Sequence, residues 1–271
     1  MPESSCPAMG YFDQVLPHPA RHFMFSSAFC WCKLPKNEKD PSPVNVPNTP
    51  SVTPAEGGQK LPAHELVYQR LRAQILFGEL APGQAVTIQG LVEALDSGMT
   101  PVREAIRRLI SDGALVFQGN RRVSVPELRA EDVDELIYAR KTMECELARR
   151  AATRIPSASV DALEALDLRL DTAIANGDVA GYLGLNYEFH SMLNEYADAP
   201  ILADLADRLW LRFGPSLRVV CGRFGTQSFP DRHKDILEGL RKKDADLVSL
   251  AMERDVLQGM EQVRAGLTPI N

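Results

Sequence analysis

Residues 100–111 read TPVREAIRRLIS, a stretch that suits both a protein core and a DNA groove. Thr100 is a good helix N-cap, and Pro101 then stands at the first helical position, where its missing N–H costs nothing. Val102, Ala105, Ile106 and Leu109 recur at i, i+3, i+4 and i+7, the apolar face of a helix. Arg103 and Arg107 fall four apart on another face, with Arg108 beside them. An arginine near the start of such a helix can bond a guanine edge with both arms or clamp a phosphate. Basic amphipathic helices are more often plain surface helices, so the flanks decide.

Upstream, HELVYQRLRAQILF (His64 to Phe77) is amphipathic, with Leu66, Val67, Leu71, Ile75 and Leu76 toward a core. Gly78 ends it, and Pro82-Gly83 makes a turn. A short second helix, Thr87 to Leu95, carries Ile88, Leu91, Val92 and Leu95, and only Asp96 to Met99 separate it from the third, the length of a helix-turn-helix turn. Downstream, Ala114 to Phe117 and Val123 to Val125 are β-type runs around Gln118-Gly119-Asn120-Arg121-Arg122, a hairpin with a polar, basic tip. Three helices and a basic hairpin make a winged helix-turn-helix, with Thr100, Arg103 and Arg107 on the recognition helix and Arg121 and Arg122 on the wing facing DNA.

On these residues the chain resembles the GntR family of bacterial transcription regulators. The G-x-L-x-P-G turn (Gly78, Leu80, Pro82, Gly83) and the P-V-R-E-A box (Pro101 to Ala105) are the family's most specific marks within the string from Val67 to Val125. Relatives often carry Ser-Arg before the Thr-Pro, where this chain has Gly98-Met99, which implies a different operator. From Ala130 to about Gly266 the chain is similar to the helical ligand-binding domain of the FadR-type (FCD) branch. The expected organisation is a disordered extension over 1–60, a winged helix-turn-helix over 61–127 and an all-α effector-binding and dimerisation domain over 128–271.

Charge fits that division. The net −6 is carried by residues 128–271, with 18 basic and 24 acidic side chains, while 61–127 balances at seven and seven. A neutral DNA-binding module must attract phosphate through clustered arginines rather than bulk charge. Five cysteines (Cys6, Cys30, Cys32, Cys145, Cys221) give no disulfide framework, and no run approaches the ~20 apolar residues of a membrane span, so a cytoplasmic protein without a membrane partner is expected. Residues 1–60 are rich in Pro, Ser and Asn without sustained periodicity.

After Pro126 the pattern is helical throughout, with helices expected over 130–154, 159–176, 179–196, 200–221, 229–242 and 244–266. Asn186 and His190 lie four apart, flanking a stripe of Tyr182, Leu185, Phe189, Met192 and Tyr196. If the last two helices form a hairpin turning near Lys243-Asp244, His233 and Asp255 reach the same height. The four could converge as metal ligands, or the histidines could be hydrogen-bonded core residues. The resemblance bears on this choice: FCD domains commonly carry D-x-x-F-H on one helix and two further histidines on the last two, which together hold a divalent metal. The matching positions are Asn186, His190, His233 and Asp255, with Asn in place of Asp and Asp in place of His. Two histidines and one carboxylate suit zinc, nickel or manganese, and an organic acid could complete the shell.

Arg140 lies on an inward stripe between Leu136 and Met143, where a charge must be paired. It can pair with Glu144 one turn on, or offer its guanidinium fork to a ligand carboxylate, the role that the resemblance implies. The sequence therefore points to a mainly α, homodimeric, non-enzymatic DNA-binding regulator, a repressor by family habit. Its ligands would be a pseudo-palindromic double-stranded operator and a small carboxylate effector, with one divalent metal as cofactor. The alternative is a metal-dependent hydrolase or metal-sensing module built on the helical bundle.

Overall fold

The computed structural model describes residues 61–118, 122–228 and 232–267. The chain begins with α1 (Ala63–Leu76), β1 (Ala85–Val86), α2 (Ile88–Leu95), α3 (Met99–Ser111), β2 (Val116–Gln118) and β3 (Arg122–Ser124). Val67, Leu71, Ile75 and Leu76 of α1 close on Val102, Ala105, Ile106 and Leu109 of α3. Leu66 differs from expectation: it is 47% exposed, and Tyr68 takes the inward place, its hydroxyl donating to Asp112 at 2.8 Å.

Thr87 caps α2 by accepting from the Gly90 N–H at 3.1 Å, and Asp96 ends it in the left-handed region at φ 46°. The expected Thr100 cap does not form. The α3 helix starts two residues earlier, with Gly98 as its N-cap, so Thr100 and Pro101 both lie inside its first turn. A proline there still leaves no hydrogen bond unmade, which is why the early start costs nothing. The wing gains a third strand, in the order β1-β3-β2 and antiparallel throughout, with Ala85 opposite Ser124 and Phe117 opposite Val123. Two residues of β1 are too few to give a readable alternation.

A 3₁₀ turn at Ala130–Asp132 leads into α4 (Val133–Ala152), α5 (Ser157–Ala175), α6 (Val179–Glu195), α7 (Pro200–Phe224), a second 3₁₀ turn at Thr226–Ser228, α8 (His233–Lys242) and α9 (Ala245–Leu267). The α4 helix packs along α9, and α8 folds back on α9 as the expected hairpin. Lys243 makes the bend in the left-handed region at φ 54°, and Asp244 Oδ1 accepts from the Leu247 N–H at 3.0 Å to start α9. The inward face of α6 is rotated from expectation: Tyr182, Leu183, Asn186, Phe189, His190 and Leu193 are buried. Asn186 and His190 are thus within the stripe rather than beside it.

The α7 helix runs past its expected end and holds Pro215 inside. That proline donates no N–H to the preceding turn. Beside it, Gly214 faces the end of α1 so closely that a Cβ would lie 2.4 Å from the Leu76 carbonyl oxygen. Gly214→Ala should therefore push α1 off α7 and cost about 1–3 kcal/mol of overpacking, read as a lowered midpoint in urea unfolding. An unchanged midpoint would mean that the contact is loose.

Candidate functional site

Two places bear on function, the face of α3 and the centre of the bundle. On α3, burial of Val102, Ala105, Ile106 and Leu109 turns Thr100, Arg103 and Arg107 outward, all exposed. Arg108 is occupied within the protein. Its guanidinium lies 3.7 Å over the Tyr68 ring and donates to Glu65 at 2.7 Å. Arg103 and Arg107 make no ion pair among the described residues, so both remain for phosphates or bases. Met99, one turn before Arg103 on the same face, is 52% exposed, an apolar neighbour whose position became visible once the helix start was placed. Arg122 is exposed on β3 opposite Gln118 of β2, and Phe117 of β2 is 63% exposed; Arg121 lies outside the described residues.

In the bundle, four helices bring together what the sequence placed there. Arg140 comes from α4, Asn186 and His190 from α6, His233 from α8 and Asp255 from α9. His190, His233 and Asp255 offer ligand atoms all within 4.8 Å of one another. Asn186 is buried one turn before His190. Arg140 is not an open fork. It is 3% exposed, donates through Nε to Glu144 Oε1 at 2.6 Å and through Nη2 to Oε2 at 3.2 Å, and lies 4.2 Å over Phe213 and 4.9 Å over Trp210.

Two carboxylates that the sequence reading did not assign to the site complete it. Glu144 Oε2 also lies 3.2 Å from His190 Nδ1, and Asp255 Oδ2 lies 3.2 Å from His190 Nε2. These are ion-pair separations, since neither contact is aligned as a hydrogen bond. Asp167, on α5, lies 3.2 Å from His233 Nδ1. Its signal was legible: it shares the α5 stripe of Leu163, Leu166 and Leu170, where a buried acid needs a partner. The His233 ring also stacks on Phe189 at 3.8 Å, with 6° between planes.

Burial alone would raise the Glu144 carboxyl, yet Arg140 and His190 hold it down at about 2. Burial likewise would lower His190, but Asp255 and Glu144 raise it to about 9. Asp255 resists burial in the same way and sits well below the usual carboxylate range because of His190. Without a metal, the two carboxylates that flank His190 favour its protonated form.

The donor set fits a divalent cation. A carboxylate only accepts, so Asp167 fixes the proton of His233 on Nδ1 and makes Nε2 its candidate ligand atom, while Glu144 and Asp255 flank the two nitrogens of His190. His190, His233 and Asp255 would hold the ion, with Asn186 the adjacent neutral oxygen donor. Two open clefts lie elsewhere. One of about 390 Å³ borders Tyr138, Lys141, Cys145 and Glu253, and one of about 250 Å³ borders Asp112, Met143, Arg208 and Arg212. Neither includes the convergent residues, which are enclosed.

A winged-helix head on an all-helical bundle defines a class: transcriptional regulators that read DNA with the head. Residues 58–125 match the family model for bacterial regulatory proteins of the gntR family, and residues 135–258 match the FCD domain. The chain is 31% identical over 147 residues to the HTH-type transcriptional regulator McbR of Escherichia coli (strain K12), covering 54% of this chain and 66% of that protein, slightly under two thirds of its length. It is 28% identical over 207 residues to the HTH-type transcriptional repressor RspR of the same strain, covering 75% and 90%. The solved E. coli McbR/YncC structure aligns with a TM-score of 0.72 at 24% identity, over 77% of this chain and all of that one. A transcriptional regulator GntR from Rhodococcus sp. RHA1 gives 0.62 at 25% identity, over 74% and 96%. The chain belongs to the GntR family, in the branch with an FCD domain, and is a DNA-binding transcriptional regulator of that type. Among the described residues no helix is long and apolar enough to cross a membrane.

Removing Arg140 leaves Glu144 as a buried charge opposed by His190 alone. Arg140→Met is expected to cost about 3–5 kcal/mol, and the double change Arg140→Met with Glu144→Gln to recover much of it. Unfolding in urea reads both. The pH dependence of metal-free stability carries opposite signs at its two ends. The His190 contribution is full below its ordinary 6.5 and is lost as pH rises through about 9. The Glu144 contribution is full above its ordinary 4.5 and is lost as pH falls toward about 2. In EDTA, His190→Gln should flatten the alkaline limb of the stability profile, and an unchanged limb would remove the imidazolium from the account.

Proposed function

We propose that the protein acts as a homodimeric repressor of a pseudo-palindromic operator, and that a small carboxylate metabolite sets its operator affinity from the bundle centre. The observation that carries this reading is the convergence of Arg140, His190, His233 and Asp255 from four helices into one enclosed cluster. A divalent cation at His190, His233 and Asp255, with Asn186 beside it, would supply a positive centre for an organic acid. The effector carboxylate would compete with Glu144 for the guanidinium of Arg140. Only a ligand with different affinities for two states shifts their balance, and this exchange of partners is such a difference. The occupied fork also favours a second reading, in which the ion itself is the signal and Arg140 serves only to hold Glu144.

Two heads on one operator explain how a neutral head binds well, because the second contact is made at high effective concentration. Arg103 would read a base edge, Arg107 would hold a phosphate, and Thr100 and Arg122 would flank them. Arg121 keeps the wing-tip role expected from sequence. A cytoplasmic setting follows from that work.

The test is selection of bound duplexes from a random pool, followed by competition with a panel of organic acids with and without zinc or nickel. Operator release by an acid supports the first reading, release by metal alone the second, and turnover of small esters or phosphates by the metal-loaded protein would instead establish a hydrolase. Arg103→Ala should cost about 1–3 kcal/mol and relax the preference at one base pair per half-site. Sedimentation of the full chain should give a dimer, and a monomer that binds operator tightly would overturn the two-headed arrangement. Asn186→Asp with Asp255→His should strengthen zinc or nickel binding in calorimetry; equal binding by wild type, His190→Ala and His233→Ala would make both histidines ordinary core residues.

A further inference from the structure

One face of α7 touches both functional places. Asp207, Trp210 and Gly214 recur at i, i+3 and i+7 along it. Asp207 binds Arg72, which projects from the middle of α1. Tyr187 of α6 joins this pair: its hydroxyl donates to Asp207 Oδ1 at 2.5 Å and accepts from Arg72 Nη2 at 3.2 Å. Tyr187 follows Asn186 directly in the chain and lies three residues before His190. Trp210 is 4% exposed and fills the space between. Its ring centroid is 5.5 Å from that of Tyr187 and 5.1 Å from that of His190, and the Arg140 guanidinium sits 4.9 Å over it. Gly214 then meets the end of α1 at Leu76. Arg208, the residue after Asp207 on α7, reaches Asp112 at 2.9 Å, and Asp112 is the C-cap of the recognition helix.

We propose that Tyr187, Asp207 and Trp210 are positioning residues that transmit the state of the bundle site to the reading head through Arg72 of α1. The chain of contact is short and leaves no gap: Arg140 or His190 to Trp210, Trp210 to Tyr187, Tyr187 and Asp207 to Arg72. A ligand that takes Arg140 from Glu144, or a cation held at His190, changes the charge facing the indole. The indole also meets Tyr187 in a T-shaped contact, with 76° between the rings, so its movement bears on the group that holds Arg72. The head is held rigidly where Leu76 meets Gly214 and polar where Arg72 meets Asp207, which makes the first contact a pivot and the second the adjustable arm. This inference rests on the reading that the bundle site senses a ligand.

The test uses the full chain, zinc chloride as the ligand and a duplex recovered by selection. Zinc affinity is read by calorimetry, operator affinity by fluorescence polarisation, and head docking by hydrogen exchange at the amides of residues 63–76. Tyr187→Phe and Asp207→Asn are expected to bind zinc as wild type does, to bind operator, and to lose most of the zinc-induced change in operator affinity, with exchange at 63–76 faster by about tenfold. Asp207→Glu, which keeps the charge, should restore part of both. A merely structural role would lower stability without separating zinc binding from its effect on operator binding. A full zinc-induced change in both variants overturns the proposal. If zinc leaves wild-type operator affinity unchanged, the reading in which the ion itself is the signal falls, and transmission of the metal-bound state falls with it. Exchange then decides whether Asp207 and Tyr187 dock the head at all: faster exchange in both variants retains the docking, and unchanged exchange removes it.

Discussion

Arg140 is a full charge, 3% exposed, in the middle of a helical bundle, and much of the polar interior is arranged around meeting it. Glu144 meets it one turn along α4 with both oxygens. That carboxylate then draws His190 from α6, His190 draws Asp255 from α9, and the aromatic rings of Trp210 and Phe213 cover the guanidinium from α7. The groups alternate in sign, so each buried charge is opposed at contact distance, and removal of any one leaves its neighbours uncompensated. Such a network adds little stability over an apolar core of the same volume. It does supply groups that can exchange a proton, a cation or a carboxylate without unfolding the bundle. Its persistence in a core otherwise built from Leu, Ala, Val and Phe is what points to a ligand.

The division of arginines on the head follows the same logic at the surface. Within 61–127 seven basic and seven acidic side chains cancel, so position matters more than number. Arg72 is held by Asp207 and Tyr187, and Arg108 by Glu65 and the face of Tyr68. Arg103 and Arg107 are left on the exposed face of α3, with Arg122 on the wing. Arg72 fastens the head to the bundle, Arg108 is held within the head, and Arg103, Arg107 and Arg122 face outward, as phosphate contacts require.

Most of the architecture was legible because the signals were local. The P-V-R-E-A box and the Lys243-Asp244 bend each act within a few residues, and the structure keeps both. The misses came from longer range. Thr100 looked like a cap because nothing in the sequence shows that Gly98 already holds an extended conformation ahead of it. Leu66 and Tyr68 exchange roles because Tyr68 finds Asp112, 44 residues away. The α6 face is rotated because His190, polar by type, meets Glu144 of α4 and Asp255 of α9, and Asn186 one turn before it is buried with it. Hydrophobic periodicity treats a polar residue as outward by default, so it misplaces the inward residues that carry function.

Asp167 and Glu144 show how the site could have been read more fully. Each is an acid on a stripe of leucine and alanine, and each faces the Nδ1 atom of a histidine. A carboxylate behind an imidazole fixes which nitrogen carries the proton and thereby which nitrogen faces the centre. For an ordinary core histidine one such partner is enough. Here both imidazoles have one on Nδ1, and Asp255 stands among their remaining donors. Two oriented rings and an acid facing a common point are more than hydrogen-bond satisfaction requires. The substitutions of Asn186 and Asp255 relative to the family pattern therefore alter which atoms meet at that point without dismantling the frame that aims them.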